Sequence, residues 1–406
     1  MSNGTAGMTG RRIVFVQRPG HRARQRDTLE ATPGPWVAIS TLQPGAAKDE
    51  HSVFRRSVSA SGRLRSLLLR MLVPLNVRWL PRSFRGTTDL VYTWGSIPMG
   101  AHGGWVVECD TPYVLSFYGV TWFRLMRPVV RALLARPSCR AVVCISEACR
   151  RAMREELGPS LDCKLHVVYP VPPAPAPGTG AERAPEEPLR LLFISTQFVL
   201  KGGRELVSAV RALVREGHQI TLTLVTDVEA VRAWSEPSDD FITILPASLP
   251  RARIRDELLA NAHALVHPTL QESFGMVLLE ALAAGLPIVA TDLFAADEIV
   301  HHGANGMLVE PPIRYYGHDK RAQWRWWGID LEQRLRAKRF DDFAARLVEA
   351  IRPLLNEQRR RAMAAASRDI YAARFAAPVR DAAFIAAIEG HPASRGSAPL
   401  ASLGGA

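Results

Sequence analysis

A proline run near the middle of the chain, Val171-Pro172-Pro173-Ala174-Pro175-Ala176-Pro177-Gly178, separates two series of short apolar segments. Proline lacks the N–H that a helix interior or central strand must donate, so residues 171–188 are expected to be a linker. Each side must then build its own core. Before the linker, six runs read as strands: Ile13–Gln17, Trp36–Ser40, Leu90–Trp94, Tyr113–Phe117, Ala141–Ile145 and Leu165–Tyr169. After it come Leu191–Ser195, Ile220–Val225, Ile242–Leu245, Ala264–His267, Ile288–Thr291 and Met307–Val309. Continuous apolar runs alternating with helical patterns mark parallel strands covered on both faces. One such pattern places Leu206, Ala209, Val210, Leu213 and Val214 on a single face before Gly217. The expectation is an α/β chain of two doubly wound domains, 11–170 and 189–375, facing across a cleft, with ligands at the carboxyl ends of their strands. Residues 376–390 are expected to form a last helix packing back on the first domain, and 391–406 a floppy tail.

The chain of 406 residues carries a formal charge of +12, which favours an anionic partner, although an arginine- and alanine-rich composition accounts for part of it. Five cysteines, an odd number with no CxxC pair, argue against zinc ligation or a disulfide framework and for free thiols in a reducing compartment. No apolar run approaches the roughly 20 residues needed to span a bilayer. Ile13–Val16 is too short for a signal-peptide core, so a cytoplasmic location is expected.

The chemistry concentrates in Gln271-Glu272-Ser273-Phe274-Gly275-Met276-Val277-Leu278-Leu279-Glu280. Glu280 interrupts an otherwise apolar helical stretch, and a carboxylate there calls for a polar partner. A hydroxyl-rich ligand satisfies that need; so does an arginine from elsewhere in the chain. Gly275 opens the helix, which leaves the N–H groups of Gly275, Met276 and Val277 pointing outward as an anion site. A second loop, Ile194 to Gly203, sets Lys201 beside Gly202 and Gly203. A point charge next to open backbone donors suits a diphosphate; a solvated lysine at a turn is the plainer reading.

The segment His267 to Glu310 resembles the donor-binding region of family-four retaining glycosyltransferases. The residues that carry the resemblance are His267-Pro268, Glu272-Ser273-Phe274-Gly275, Glu280-Ala281, Gly285 to Thr291, Glu298 and Asn305-Gly306. It implies the GT-B fold, with two Rossmann-like domains. Glu272 would contact the donor sugar, the amides after Phe274 would hold sugar and phosphate, and Glu280 would bind the ribose. Lys201-Gly202 would hold the diphosphate, making Lys201 and Glu272 the catalytic pair. The resemblance further implies hexosyl transfer with retention, giving an α-linkage, from a nucleotide sugar to a glycan or lipid-linked acceptor in envelope polysaccharide or glycolipid synthesis. No metal or other cofactor is expected.

This chain departs from the family pattern in several places. Thr196 stands where many members have an arginine, with Arg204 the candidate substitute. The usual glycine-rich first turn is Gln17-Arg18-Pro19-Gly20-His21, and the usual His-Gly is Tyr118-Gly119. Tyr118 and Gly119 are candidate contacts from the first domain; a core-edge aromatic is the alternative. Residues 51–85, with eight arginines, no acids and the run Leu67-Leu68-Leu69-Arg70-Met71-Leu72-Val73, suggest a peripheral contact with an anionic membrane. The same pattern also fits a helix packed on the domain. The mixed stretch Arg314 to Trp327 reads as packing or an interface loop, and no nucleic-acid partner is expected. A non-catalytic GT-B protein that binds a nucleotide sugar is the competing class.

Overall fold

A computed structural model describes residues 11–16, 23–41, 74–85, 89–172, 188–234, 239–328 and 330–390. The first turn at 17–21, the run Leu67–Val73 with most of 51–85, most of the linker and the tail at 391–406 lie outside them. The chain divides into two compact units, 1–171 with 377–406, and 172–376.

Unit 1 is built on a parallel six-stranded sheet in the order β2-β1-β4-β6-β7-β8. Its strands are β1 (Arg11–Phe15), β2 (Trp36–Ser40), β4 (Leu90–Trp94), β6 (Trp105–Cys109), β7 (Cys139–Cys144) and β8 (Leu165–Val167). Two short strands, β3 (Val77–Trp79) and β5 (Ile97–Met99), pair in parallel beside it. Helices α1 (Ala23–Glu30), α2 (Val120–Ala135) and α3 (Glu147–Leu157) belong to this unit, and Ser146 caps α3 by accepting from the Cys149 N–H at 3.0 Å.

One sequence expectation fails here, and one strand was not foreseen. Tyr113–Phe117 is not a strand: Pro112 starts a single 3₁₀ turn, Pro112–Ser116, ending at Phe117 in the left-handed region. The strand is instead Trp105–Cys109, whose apolar run is broken by Glu108. Glu108 is accommodated because the Tyr92 hydroxyl donates to it at 2.7 Å and Arg24 lies 3.3 Å away.

Unit 2 repeats the plan. Strands β9 (Leu189–Ile194), β10 (Ile220–Thr226), β11 (Ile242–Pro246), β12 (Ala264–His267), β13 (Ile288–Thr291) and β14 (Gly306–Val309) form a parallel sheet in the order β11-β10-β9-β12-β13-β14. Around it lie α4 (Gly203–Arg215), α5 (Met276–Ala283), α6 (Asp341–Ile351) and α7 (Glu357–Ile370). The order reverses between β9 and β12, so the loops leaving those two strands diverge, and a ligand crevice belongs there.

The last helix, α8 (Ala377–Glu389), belongs to unit 1. Phe384, Ala387 and Ile388 join Ile13, Phe15, Tyr92 and Val143 in one apolar cluster. Phe384 is fully buried, which contributes about 2–3 kcal/mol. Arg380 donates to the Ala31 carbonyl at 2.6 Å and lies 4.5 Å from the Phe384 ring. All five cysteines are free thiols, and only Cys163 is exposed.

Candidate active site

The loops after β9 and β12 meet at the point where the strand order reverses. Gly202, at φ +72°, makes the meeting possible: a Cβ there would stand 2.1 Å from the Pro268 carbonyl oxygen. The Leu270 N–H donates to the Leu200 carbonyl at 3.0 Å, locking the loops together. Lys201 thereby reaches across. Its ammonium donates to Glu272 Oε2 at 3.0 Å and to the Gln271 carbonyl. The other carboxylate oxygen, Oε1, accepts from the Ser273 N–H at 3.0 Å.

The electrostatics follow from this geometry. Burial pushes the Glu272 carboxyl up, but the Lys201 charge, helped by His267, overrides it and holds the group well below the usual carboxylate range. His267 Nε2 stands 3.5 Å from Glu272 Oε2, an electrostatic contact too long for a good hydrogen bond. The ring is 2% exposed, and neither nitrogen finds a hydrogen-bond partner among the described residues. Burial first, then the Lys201 charge, lowers its pKa and keeps the imidazole neutral.

Next to this pair α5 begins. Gly275 sits at φ +89°, so the chain turns sharply from Phe274 into the helix. Leu278 and Leu279 are buried on the inner face, while Ser273, Met276, Val277 and Glu280 stay half-buried. The first N–H groups of the helix have no preceding carbonyl to donate to, and its dipole adds positive potential. A cation, an ionised acid and open donors thus stand in one strip, able to hold an anionic group together with a hydroxylated one.

Glu280 has a protein partner: Arg251, just after β11, lies 3.0 Å from its Oε1. An arginine partner was one of the two readings open at Glu280, but with 29 positions between the two residues nothing in the amino-acid order pointed to Arg251. Gln271 is held too, its side-chain amide donating to the Tyr315 hydroxyl at 2.5 Å. Tyr315 is 2% exposed and stacks on Trp327 at 4.8 Å, so the aromatic stretch after β14 packs against the acid-bearing loop. The aromatic spacing signalled packing, but not which loop it would brace.

Arg204 does not replace the arginine missing at Thr196. Its guanidinium is buried on the carbonyls of Arg336, Leu335 and Lys338 at 2.9–3.2 Å, where it caps the short helix Leu331–Arg336. Thr196 itself is exposed. In unit 1, Tyr118 adopts φ +62° and donates from its hydroxyl to Asp110 Oδ2 at 2.8 Å. The ring is 40% exposed rather than a core element, and Gly119 follows at the start of α2.

Residues 188–314 match the family profile of glycosyl transferases group 1. The chain is 32% identical over 209 residues to D-inositol 3-phosphate glycosyltransferase from Xylanimonas cellulosilytica, covering 45% of this chain and 48% of that protein. It is 29% identical over 112 residues to the capsular polysaccharide biosynthesis glycosyltransferase CapM from Staphylococcus aureus, covering 27% and 30% respectively. The matches thus span less than half the length of either relative. Over the full fold the chain is similar to Anabaena HepE in complex with UDP and glucose (TM-score 0.58, 15% identity, 93% of this chain and 99% of that one). It is also similar to WaaG, a glycosyltransferase involved in lipopolysaccharide biosynthesis (TM-score 0.55, 16% identity, 92% and 99%). The fold is GT-B, and the resemblance carried by the motifs of 267–310 is borne out in segment 188–314.

Proposed function

We propose that this chain is a retaining glycosyltransferase that moves a hexose from a nucleotide sugar to a glycan or lipid-linked acceptor. The observation that carries the reading is the Lys201–Glu272 pair set against the open start of α5. In this reading Lys201 and the helix-start N–H groups neutralise the charge that develops on the departing diphosphate. Glu272, ionised and anchored from two sides, accepts hydrogen bonds from the donor sugar's hydroxyls and fixes the anomeric carbon for attack. Ser273, Phe274, Gly275, Met276 and Val277 supply the backbone wall, and Glu280 binds the ribose diol while keeping or exchanging Arg251. Diphosphate charge is met by Lys201 and backbone, so turnover is expected to survive a chelator.

UDP-glucose is the first donor to try, since the similar Anabaena protein binds UDP and glucose. Relatives in capsule and lipopolysaccharide synthesis support an envelope-glycan acceptor at the inner face of the cytoplasmic membrane. Tyr118 and Gly119 are proposed as first-domain contacts, with the Tyr118 oxygen accepting rather than donating because its proton is committed to Asp110. The competing reading is a nucleotide-sugar binder without turnover, favoured by the exposed Thr196 where a second cation is usual.

Calorimetry with UDP-, GDP-, ADP- and dTDP-sugars tests the site. One nucleotide is expected to bind selectively, and Glu280→Ala to weaken it at least tenfold. No binding by any donor overturns the reading. Binding without release of nucleotide, with or without acceptor, selects the non-catalytic alternative.

A further inference from the structure

We propose that Trp324 is a stacking platform for a pyranose ring carried by the acceptor, mounted beside the donor site by the connection between β14 and α6. That connection, residues 310–340, is far longer than the roughly two to six residues usual between a strand and its next helix. Most of it lies beyond the family match, which ends at residue 314. It is nonetheless firmly held. Tyr316 bridges Ala322, and the Gln323 N–H donates to the Tyr315 carbonyl at 3.0 Å, so 315–323 folds as a hairpin. Tyr315 anchors the hairpin to Gln271, in the loop after β12. A second anchor reaches the loop after β13. Lys320 donates to the Phe294 carbonyl at 2.5 Å and to Asp297 at 3.0 Å, and the Tyr316 ring lies 4.3 Å from that of Phe294. Phe294 itself sits at φ +52°, a conformation that a bulky residue keeps only where its surroundings impose it.

Trp324 follows this hairpin directly. Its carbonyl accepts from the Trp327 N–H at 3.3 Å, and Trp327 stacks on Tyr315. Tyr315, Tyr316, Trp326 and Trp327 each have a ring or a cation against them. The Trp324 indole has neither among the described residues and is 78% exposed. One exposed apolar side chain needs no explanation by itself. A flat indole on a rigid mount tied to two loops of a candidate sugar site does. Chemistry then selects the ligand. Among the described residues of the connection no other large apolar side chain is exposed, and Arg325 beside Trp324 is exposed and polar. A protein or a bilayer needs a contiguous apolar patch on the order of several hundred Å², which one indole does not supply. A pyranose needs one flat apolar surface for its C–H face and nearby donors, such as a guanidinium, for its rim hydroxyls. On the donor reading, the nucleoside lies toward Glu280 and Arg251, which follows the β11 edge of the sheet. Trp324 belongs to the opposite edge, beyond β14, so its ring is the acceptor's sugar and not the donor's base. That last step rests on the proposed donor site.

The test uses the full chain labelled with fluorotryptophan, in which the nine tryptophans give fluorine signals and the one lost in Trp324→Phe reports Trp324. Methyl α-glucopyranoside, methyl α-galactopyranoside and methyl α-mannopyranoside are titrated, with sorbitol as the open-chain control. At least one pyranoside is expected to shift the Trp324 signal saturably. Trp324→Ala should weaken that sugar's binding, read on the sugar by saturation-transfer NMR, by about tenfold, the scale of truncating a tryptophan that anchors a ligand. Trp324→Tyr should restore most of it, with nucleotide-sugar affinity unchanged in both variants. If a nucleotide sugar binds but no pyranoside moves the signal, the platform is overturned and the donor reading stands. If no nucleotide sugar binds, the donor reading falls, and the pyranoside titration still decides the platform. Equal shifts with sorbitol, or pyranoside binding that Trp324→Ala leaves intact, would overturn the proposal. So would loss of nucleotide-sugar affinity in Trp324→Ala, which would assign the indole to the donor, or a dimer that this variant dissociates.

Discussion

Two glutamates, one in each unit, show how the same side chain becomes scaffold or candidate machinery. Glu156 in α3 is wholly buried. Its Oε1 accepts from the Tyr113 hydroxyl at 2.9 Å and from Arg124 at 3.3 Å, while Oε2 meets Arg127 at 3.4 Å. Glu272 in unit 2 is 22% exposed, held by one lysine and one backbone N–H, with a neutral histidine 3.5 Å away. Both are carboxyl groups beside cations. The difference is completion: around Glu156 protein groups fill the available directions, whereas Glu272 keeps surface open to a ligand. A buried acid with a full set of partners is structure; a half-open one at a strand-order reversal is a site.

That contrast breaks most visibly at Glu272. Changing Glu272→Gln keeps the shape but removes the charge that Lys201 answers, and donor turnover is expected to fall by about 10²-fold or more, with little loss of stability. An assay of nucleotide release checks it, and near-wild-type turnover would remove Glu272 from the machinery. Glu156→Ala should do the reverse. It strands the buried Tyr113 hydroxyl, while Arg124 and Arg127, one-third to two-fifths exposed, recover part of the loss in water. Denaturant unfolding should show a loss of about 2 kcal/mol, with nucleotide-sugar affinity unchanged.

Smaller effects sharpen the picture. Tyr315→Phe removes the hydroxyl that receives the Gln271 amide, and about 1 kcal/mol of loop positioning should go with it. As a positioning residue it should lower kcat about fivefold with little change in KM, while Tyr315→Leu, which also loses the stacking on Trp327, should cost stability as well. Equal effects of Phe and Leu on both readouts would mark the contact as packing alone.

The smallest effect concerns pH. His267 stays neutral in the folded protein but binds a proton when unfolded below about pH 6.5. The unfolded state therefore holds more protons there, and stability falls as pH drops from about 7 to 5. Chemical unfolding of His267→Gln across that window should give a flatter profile. Some slope remains, because burial also lowers the pKa of His166 and His301. Identical slopes would mean that His267 does not titrate between the two states.

Much was legible in the amino-acid order because it depends on neighbours along the chain. The parallel strands of unit 2 are short, mostly apolar runs, and the motif from His267 to Glu280 sets strand end, acid, glycine turn and helix within 14 positions. Local sterics and backbone hydrogen bonding are enough to fix that order. In unit 1, Trp105–Cys109 was hidden because Glu108 breaks its apolar run, and only Tyr92 and Arg24 make that break tolerable.

What the tertiary structure alone decided is who meets whom. Lys201 and Glu272 are 71 positions apart, and Gln271 and Tyr315 are 44. Arg204, three residues from Lys201, was as plausible a site cation by sequence, yet it is spent on helix-end carbonyls. The physical reason is that charges and hydroxyls are satisfied in three dimensions, by whichever partner the packing brings within about 3 Å. Propensity sets the elements; only their packing decides which polar groups are used up inside the protein and which remain for a ligand.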